Sequence, residues 1–113
     1  MPVIDEIAAE RKRQIEVEGW SAEHDDAHHH GEMALSAAAY ACASTMLHEE
    51  IEFHKKMLYG AKRGLFSVIA YLWRWEPHWF KPKDRRRNLI KAAALLVAEI
   101  ERLDRFEAKK NAA

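Results

Sequence analysis

Apolar residues open the chain at helical spacing and then give way to polar ones. Ile4 and Ile7 fall on one line with Arg11, Gln14 and Glu18, so the first predicted helix, Val3 to Glu18, carries a seam that is apolar at its start and polar at its end. Gly19 stops it. A surface helix normally keeps its polar residues on the opposite face, which leaves two readings: Glu18 enters a polar pocket between helices, or it frays into water. Trp20 and Ser21 open a loop. A second helix is expected to start between Asp25 and Gly31, where the acidic residues suit both an N-cap and the positive end of the helix dipole. It continues into "MALSAAAYACAST" (33–45), whose small apolar side chains on every side predict a buried helix closely approached by its neighbours.

Beyond that run, His48 to Tyr59 alternates Ile51, Met57 and Leu58 with charged residues and reads as amphipathic. "LFSVIAYLWRW" (65–75) predicts another mostly buried helix, stopped by Pro77, and "EPHWFKPKD" (76–84) a loop rich in proline and aromatic residues. The last helix is predicted from Asp84 to Phe106 on the heptad seam Leu89, Ala93, Leu96, Ile100 and Leu103, with a frayed tail after it. Asp84 is its natural N-cap, yet Arg85, Arg86 and Arg87 in its first turn oppose the dipole. Either they pair with acids from another segment or they await an anionic ligand. The fold class is all-α, a bundle of four to five helices forming one domain over residues 1–113.

Composition narrows the function. Lys and Arg number 18 and Asp and Glu 18, so no global field points to nucleic acid or an anionic membrane, and functional charge has to be local. The lone Cys42, in a small-residue apolar run, reads as a core thiol in a reduced compartment. No basic stretch precedes an apolar leader, and the longest apolar runs are too short to span a bilayer, so a cytoplasmic protein is expected.

The densest chemistry lies in "EHDDAHHHGE" (23–32). If residues 25–36 are helical, Asp25, His28 or His29, and Glu32 share one face, and inward-facing acids and histidines at this spacing are how helical bundles build metal sites. Carboxylates suit Mg²⁺ or Mn²⁺, and imidazole shifts preference towards Mn²⁺, Zn²⁺ or Fe. Glu18 and Asp84 or Asn88 would complete the set, while His29 and His30 read as solvated. Lys81, Lys83 and Arg85 to Arg87 stand beside these acids, as phosphoanhydride chemistry requires. Trp75, Trp79 and Phe80 could stack a base or belong to the core. No glycine-rich phosphate loop, zinc Cys/His spacing or Ser/His/Asp constellation is visible.

The strings "ERKRQIEVEGWSAEHDDAHHHGEMALSAAAYA" (10–41) and "WFKPKDRRRNLIKAAALLVAEIERLDR" (79–105) resemble a family of small phage and prophage proteins akin to the MazG-like all-α nucleoside triphosphate pyrophosphatases and the phage dATP/dGTP diphosphohydrolase group. The resemblance implies a MazG-like helical fold in which residues 42–78 are a variable insertion. It also implies paired helical carboxylates holding Mg²⁺ and directing water onto a phosphorus. On this sequence Glu32 and Asp84 match the two acidic positions, Asn88 stands where a fourth acid is expected, and no clean ExxE surrounds Glu32.

Three functions follow. A metal-dependent pyrophosphohydrolase would cleave an NTP or dNTP to the monophosphate and pyrophosphate. It would use Glu18, Asp25, Glu32 and Asp84 on Mg²⁺ or Mn²⁺, Glu18, Glu32 or His28 to activate water, and Lys83, Arg86 and Lys91 on the phosphates. An inactive relative would bind and sequester a nucleotide. A helical phage protein would instead contact a host protein in the host cytoplasm through its Trp-rich segment 73–80. A homodimer or higher homo-oligomer is expected from the apolar surface such helices leave to cover.

Overall fold

A computed structural model describes residues 2–60 and 67–112, and within them the chain is all-α, with no strand. Helix α1 spans Val3–Glu16, α2 Ala22–Asp26, α3 Glu32–Ala43, α4 His48–Met57, α5 Val68–Leu72 and α6 Arg85–Ala112, with a 3₁₀ turn at Pro77–Trp79. Helix α6 is the spine: α3 and α1 both pack on it, and α5 packs on α3. Among the described residues no helix is long and apolar enough to cross a membrane.

The continuous helix expected through residues 25–36 is not formed. Ser21 caps α2, its Oγ accepting from the backbone N–H of His24 at 3.2 Å. The chain then turns through residues 27–31 and enters α3 on Gly31, whose φ of +83° is a left-handed conformation that a Cβ would disfavour. Asp25 and Glu32 therefore stand on different helices, and the one-face argument that grouped Asp25, His28 and Glu32 fails. Helix α1 ends at Glu16 rather than Glu18, with Gly19 reversing the chain at φ +77°. Of the helix expected at 65–75, Leu65 and Phe66 lie outside the described residues, and α5 ends at Leu72, before Pro77. Helix α6 continues to Ala112, so the tail expected to fray is helical. Asp84 does cap it, accepting from the backbone N–H of Arg87 at 2.9 Å.

Small residues of α3 make the core as anticipated: Ala37, Ala39, Tyr40 and Ala43 pack with Ile69, Trp73, Phe80, Ala92 and Leu95. Two seams are oriented differently from the sequence expectation. Helix α1 buries Glu10, Arg11 and Gln14 and leaves Ile4 75% exposed. Helix α6 buries Asn88, Lys91, Ala92, Leu95, Ala98 and Arg102, while Leu89, Leu96, Ile100 and Leu103 of the predicted heptad face outward. The physical reason on α1 is that the buried charges of Glu10 and Arg11 meet partners of opposite sign, which removes most of their desolvation cost, while Gln14 donates to Glu10.

Candidate functional site

Glu18 anchors the site. Just beyond the end of α1, its side chain is 6% exposed, and it accepts from Arg13 Nη1 at 3.1 Å and from Lys81 Nζ at 3.2 and 3.3 Å. Of the two readings of the first seam, the polar pocket is therefore the observed one. Burial pushes its carboxyl up, but the hydrogen bonds from Arg13 and Lys81 overcome this and hold it below the ordinary glutamate value. Arg13 is forked: Nε and Nη2 grip both oxygens of Glu10 at 2.8 and 2.9 Å while Nη1 reaches Glu18. Glu10, fully buried, also accepts from Arg87 and from Gln14 Nε2 at 3.3 Å. Lys91 lies beside this network, donating to the Lys81 carbonyl at 2.7 Å. Burial pulls its ammonium down to about 8.

An aromatic cleft of about 260 Å³ opens beside Glu18, lined by Glu18, Trp20, His24, Trp75, Glu76 and Trp79. Trp20 and Trp75 lie 5.1 Å apart between centroids, and His24 stacks on Trp20 at 6.0 Å. His28 meets the edge of Trp75 at 5.5 Å, and its Nδ1 bonds the His24 carbonyl at 2.7 Å. Lys81 Nζ sits 5.2 Å over the Trp79 ring while still holding Glu18, so one ammonium links the acid to the aromatic wall. Trp75 Nε1 is a buried donor without a partner among the described residues.

The loop carrying Trp79 and Lys81 is fixed from two sides. Tyr40 accepts from the Lys81 backbone N–H at 3.0 Å and donates to the Trp79 carbonyl at 3.5 Å, and burial raises its phenol to about 12. Buried Asn88 accepts from the Lys83 N–H at 2.7 Å and donates to the Lys83 carbonyl at 3.1 Å. A carboxylate could make the first bond and not the second. Asparagine at 88 is thus accounted for by loop clamping.

The expected metal ligands do not converge. Asp25 is buried against Arg11 Nη2 at 2.8 Å and His24 Nδ1 at 3.1 Å, and Glu32 accepts from the His30 backbone N–H at 2.5 Å. Asp84 caps α6, and Glu18 is held by Arg13 and Lys81. Among the described residues no group of three or more His, Cys, Asp or Glu is placed to hold a metal. The four acids of one chain do not fit Mg²⁺ or Mn²⁺, because each is already engaged by a cation or a backbone donor. His29 and His30 are exposed, as the sequence suggested.

The expected phosphate ligands also separate. Arg86 makes a two-point pair with Glu6 at 2.6 and 2.7 Å, Lys91 is buried, and Lys83 lines a different cleft of about 480 Å³ with His48, Lys55 and Arg85. Arg85 Nε donates to the Ser44 carbonyl at 2.8 Å. The arginines that opposed the dipole are thus largely spoken for by Glu6, Glu10 and Ser44. Of the Trp-rich segment, Trp73 and Phe80 are core residues, so residues 73–80 do not form one contact surface.

Sequence reasoning named Glu18, Trp75 and Trp79 separately, as an acid of the metal set and as base-stacking or contact residues, without placing them together, and it missed Glu10, Arg13, Trp20 and His24. The signals were present: Trp20 and His24 are four apart across the Ser21 cap, and Glu10 and Arg13 are three apart on α1. No protein-family model, curated protein or solved structure matches this chain.

Proposed function

We propose that this protein binds a nucleotide, with the base in the cleft formed by Trp20, His24, Trp75 and Trp79. The observation that carries the reading is the convergence of two segments distant in sequence, residues 18–24 and 75–79, on one aromatic cleft with a carboxylate and a lysine at its edge. Its volume of about 260 Å³ lies below the roughly 300–1,000 Å³ of pockets that enclose a whole drug-sized ligand. It suits one flat ring system, with sugar and phosphates left outside. Stacking on aromatic rings is worth about 1–3 kcal/mol per base. Glu18 and Glu76 offer acceptors for an exocyclic amine, and Lys81 offers a positive charge for the phosphate side.

Cleavage of that nucleotide to monophosphate and pyrophosphate is a second reading, favoured by the presence of Glu18 in the same cleft. It requires a metal site that the described residues of one chain do not assemble. A panel of NTPs and dNTPs separates the readings: thermal shift reports binding, and pyrophosphate release with Mg²⁺ or Mn²⁺ reports turnover. The binding reading expects a shift with at least one nucleotide that is lost in Trp79→Ala, without pyrophosphate release. Release abolished by Glu18→Gln supports hydrolysis. No shift and no release with any nucleotide refutes both.

A further inference from the structure

The outward face of α6 is an unpartnered heptad. Leu89, Ala93, Leu96, Ile100 and Leu103 follow 4-3-4-3 spacing over two turns of the heptad, and Leu89, Leu96, Ile100 and Leu103 are 47–58% exposed. Val97 and Phe106 widen the stripe, the latter 59% exposed. Towards its C-terminal end the stripe runs into a groove of about 480 Å³ lined by Asp26, His29, Arg102, Leu103, Phe106 and Lys109. Helix α1, which packs on α6, repeats the inversion by burying Glu10, Arg11 and Gln14 while Ile4 and Ile15 stay exposed. A chain that internalises ion pairs and turns its heptad outward is built to cover that heptad with something else.

We propose that the occupant is a second copy of this chain, with the two α6 helices packed antiparallel along Leu89–Leu103. Area and charge select this partner. Six half-exposed side chains offer on the order of 500 Å² per protomer, at the upper end of the apolar patches that monomers tolerate. Doubled across a two-fold, this reaches about 1,000 Å², the threshold for a specific interface. The ends of the stripe differ in exposed charge: Arg85 and Arg86 precede it beside Asp84, with Arg86 paired to Glu6, and Glu101, held by Arg11, with Asp104 and Glu107 flank its far end ahead of Lys110. Lys109 within that end is turned towards Asp26 at 3.7 Å. An antiparallel copy sets the basic first turn of one helix beside the acidic stretch of the other. A parallel copy sets like charges side by side. The two-fold then makes the interface isologous, with each protomer supplying both halves.

The test is sedimentation equilibrium or light scattering on the full chain at 10–100 µM, on the order of cellular-to-assay concentrations that probe micromolar affinities. The wild type is expected at twice the monomer mass, and Leu96→Glu at the monomer mass with unchanged far-ultraviolet helicity, because Leu96 is half exposed in the single chain. Ile100→Glu serves as the second variant if Leu96→Glu loses helicity. Orientation is read by a short thiol cross-linker in a Cys42→Ala background: a mixture of Leu89→Cys and Leu103→Cys chains should couple to each other, and Leu103→Cys alone should not. A monomeric wild type overturns the proposal, as does a dimer that survives Leu96→Glu and Ile100→Glu. Self-coupling of Leu103→Cys overturns the antiparallel arrangement.

Discussion

Removing Asp25 should unfold the protein more easily, and by an amount the geometry sets. Its side chain is 1% exposed and meets Arg11 Nη2 at 2.8 Å, so it ties α2 to the middle of α1. Deleting one partner of a buried pair leaves the other charge uncompensated, which typically costs about 3–5 kcal/mol. Arg11 keeps two lesser partners, the Trp20 carbonyl at 3.3 Å and the half-exposed Glu101 at 3.2 Å, so the expected cost of Asp25→Ala drops to about 2–4 kcal/mol. With a urea slope of about 1.5 kcal/mol per molar, the unfolding midpoint should fall by roughly 1–3 M at fixed protein concentration. Arg11→Met completes a double-mutant cycle, and the pair should be coupled by more than about 1 kcal/mol. An Asp25→Ala protein within about 0.5 kcal/mol of wild type, which is the range of ordinary surface substitutions, would refute the reasoning. A stabilised variant would restore Asp25 as one of a set of mutually repelling metal ligands.

Other consequences follow. Glu18 is held below its ordinary value, so its contribution is present above that value and lost as pH falls through the folded-state value. Wild type should therefore lose more urea stability between pH 6 and pH 3 than Glu18→Gln does. Lys91 runs the opposite way: its depressed value of about 8 means that the unfolded chain binds more protons above that pH. Stability should thus rise between about pH 8 and 10, and this rise should be absent in Lys91→Met. Gly31→Ala should cost about 1 kcal/mol in urea unfolding through the left-handed backbone alone, since a Cβ there meets nothing within 4 Å. Asn88→Asp, which loses the donor to the Lys83 carbonyl, should destabilise by about 1–3 kcal/mol; equal stability would remove the clamp argument.

Periodicity and punctuation carried most of the architecture. The small-residue run 33–45 read as buried on every side and buries one face, with Met33, Ser36, Ala37, Ala39, Tyr40 and Ala43 inside and Ala34, Leu35, Ala38, Ala41 and Cys42 only partly covered; Gly19 and Asp84 lie at real helix ends, and the all-α class follows from their sum. The failures share a cause, which is that partners distant in sequence decided the outcome. The turn through residues 27–31, closed by left-handed Gly31, broke a helix that composition alone would continue, and Arg11 captured the acid that helical spacing had assigned to a metal. The heptad of α6 was legible, but a heptad states only that a face is apolar and not which neighbour covers it. Ion pairs on α1 took the inward side. At the site, residue type made Glu18, Trp75 and Trp79 conspicuous. Arg13 and Lys81, which set the charge around Glu18, sit in stretches full of other cations, and only three-dimensional placement singles them out.

The most direct test of the account is isothermal titration of the full chain with purine and pyrimidine nucleoside triphosphates, with inorganic tripolyphosphate as the ligand lacking a base. Binding of a nucleotide, absence of binding to tripolyphosphate, and an affinity loss of roughly tenfold or more in Trp79→Ala, about 1.4 kcal/mol, are the predicted results. Equal affinity for tripolyphosphate, or binding unchanged by Trp79→Ala and Trp75→Ala, would contradict a base-stacking cleft.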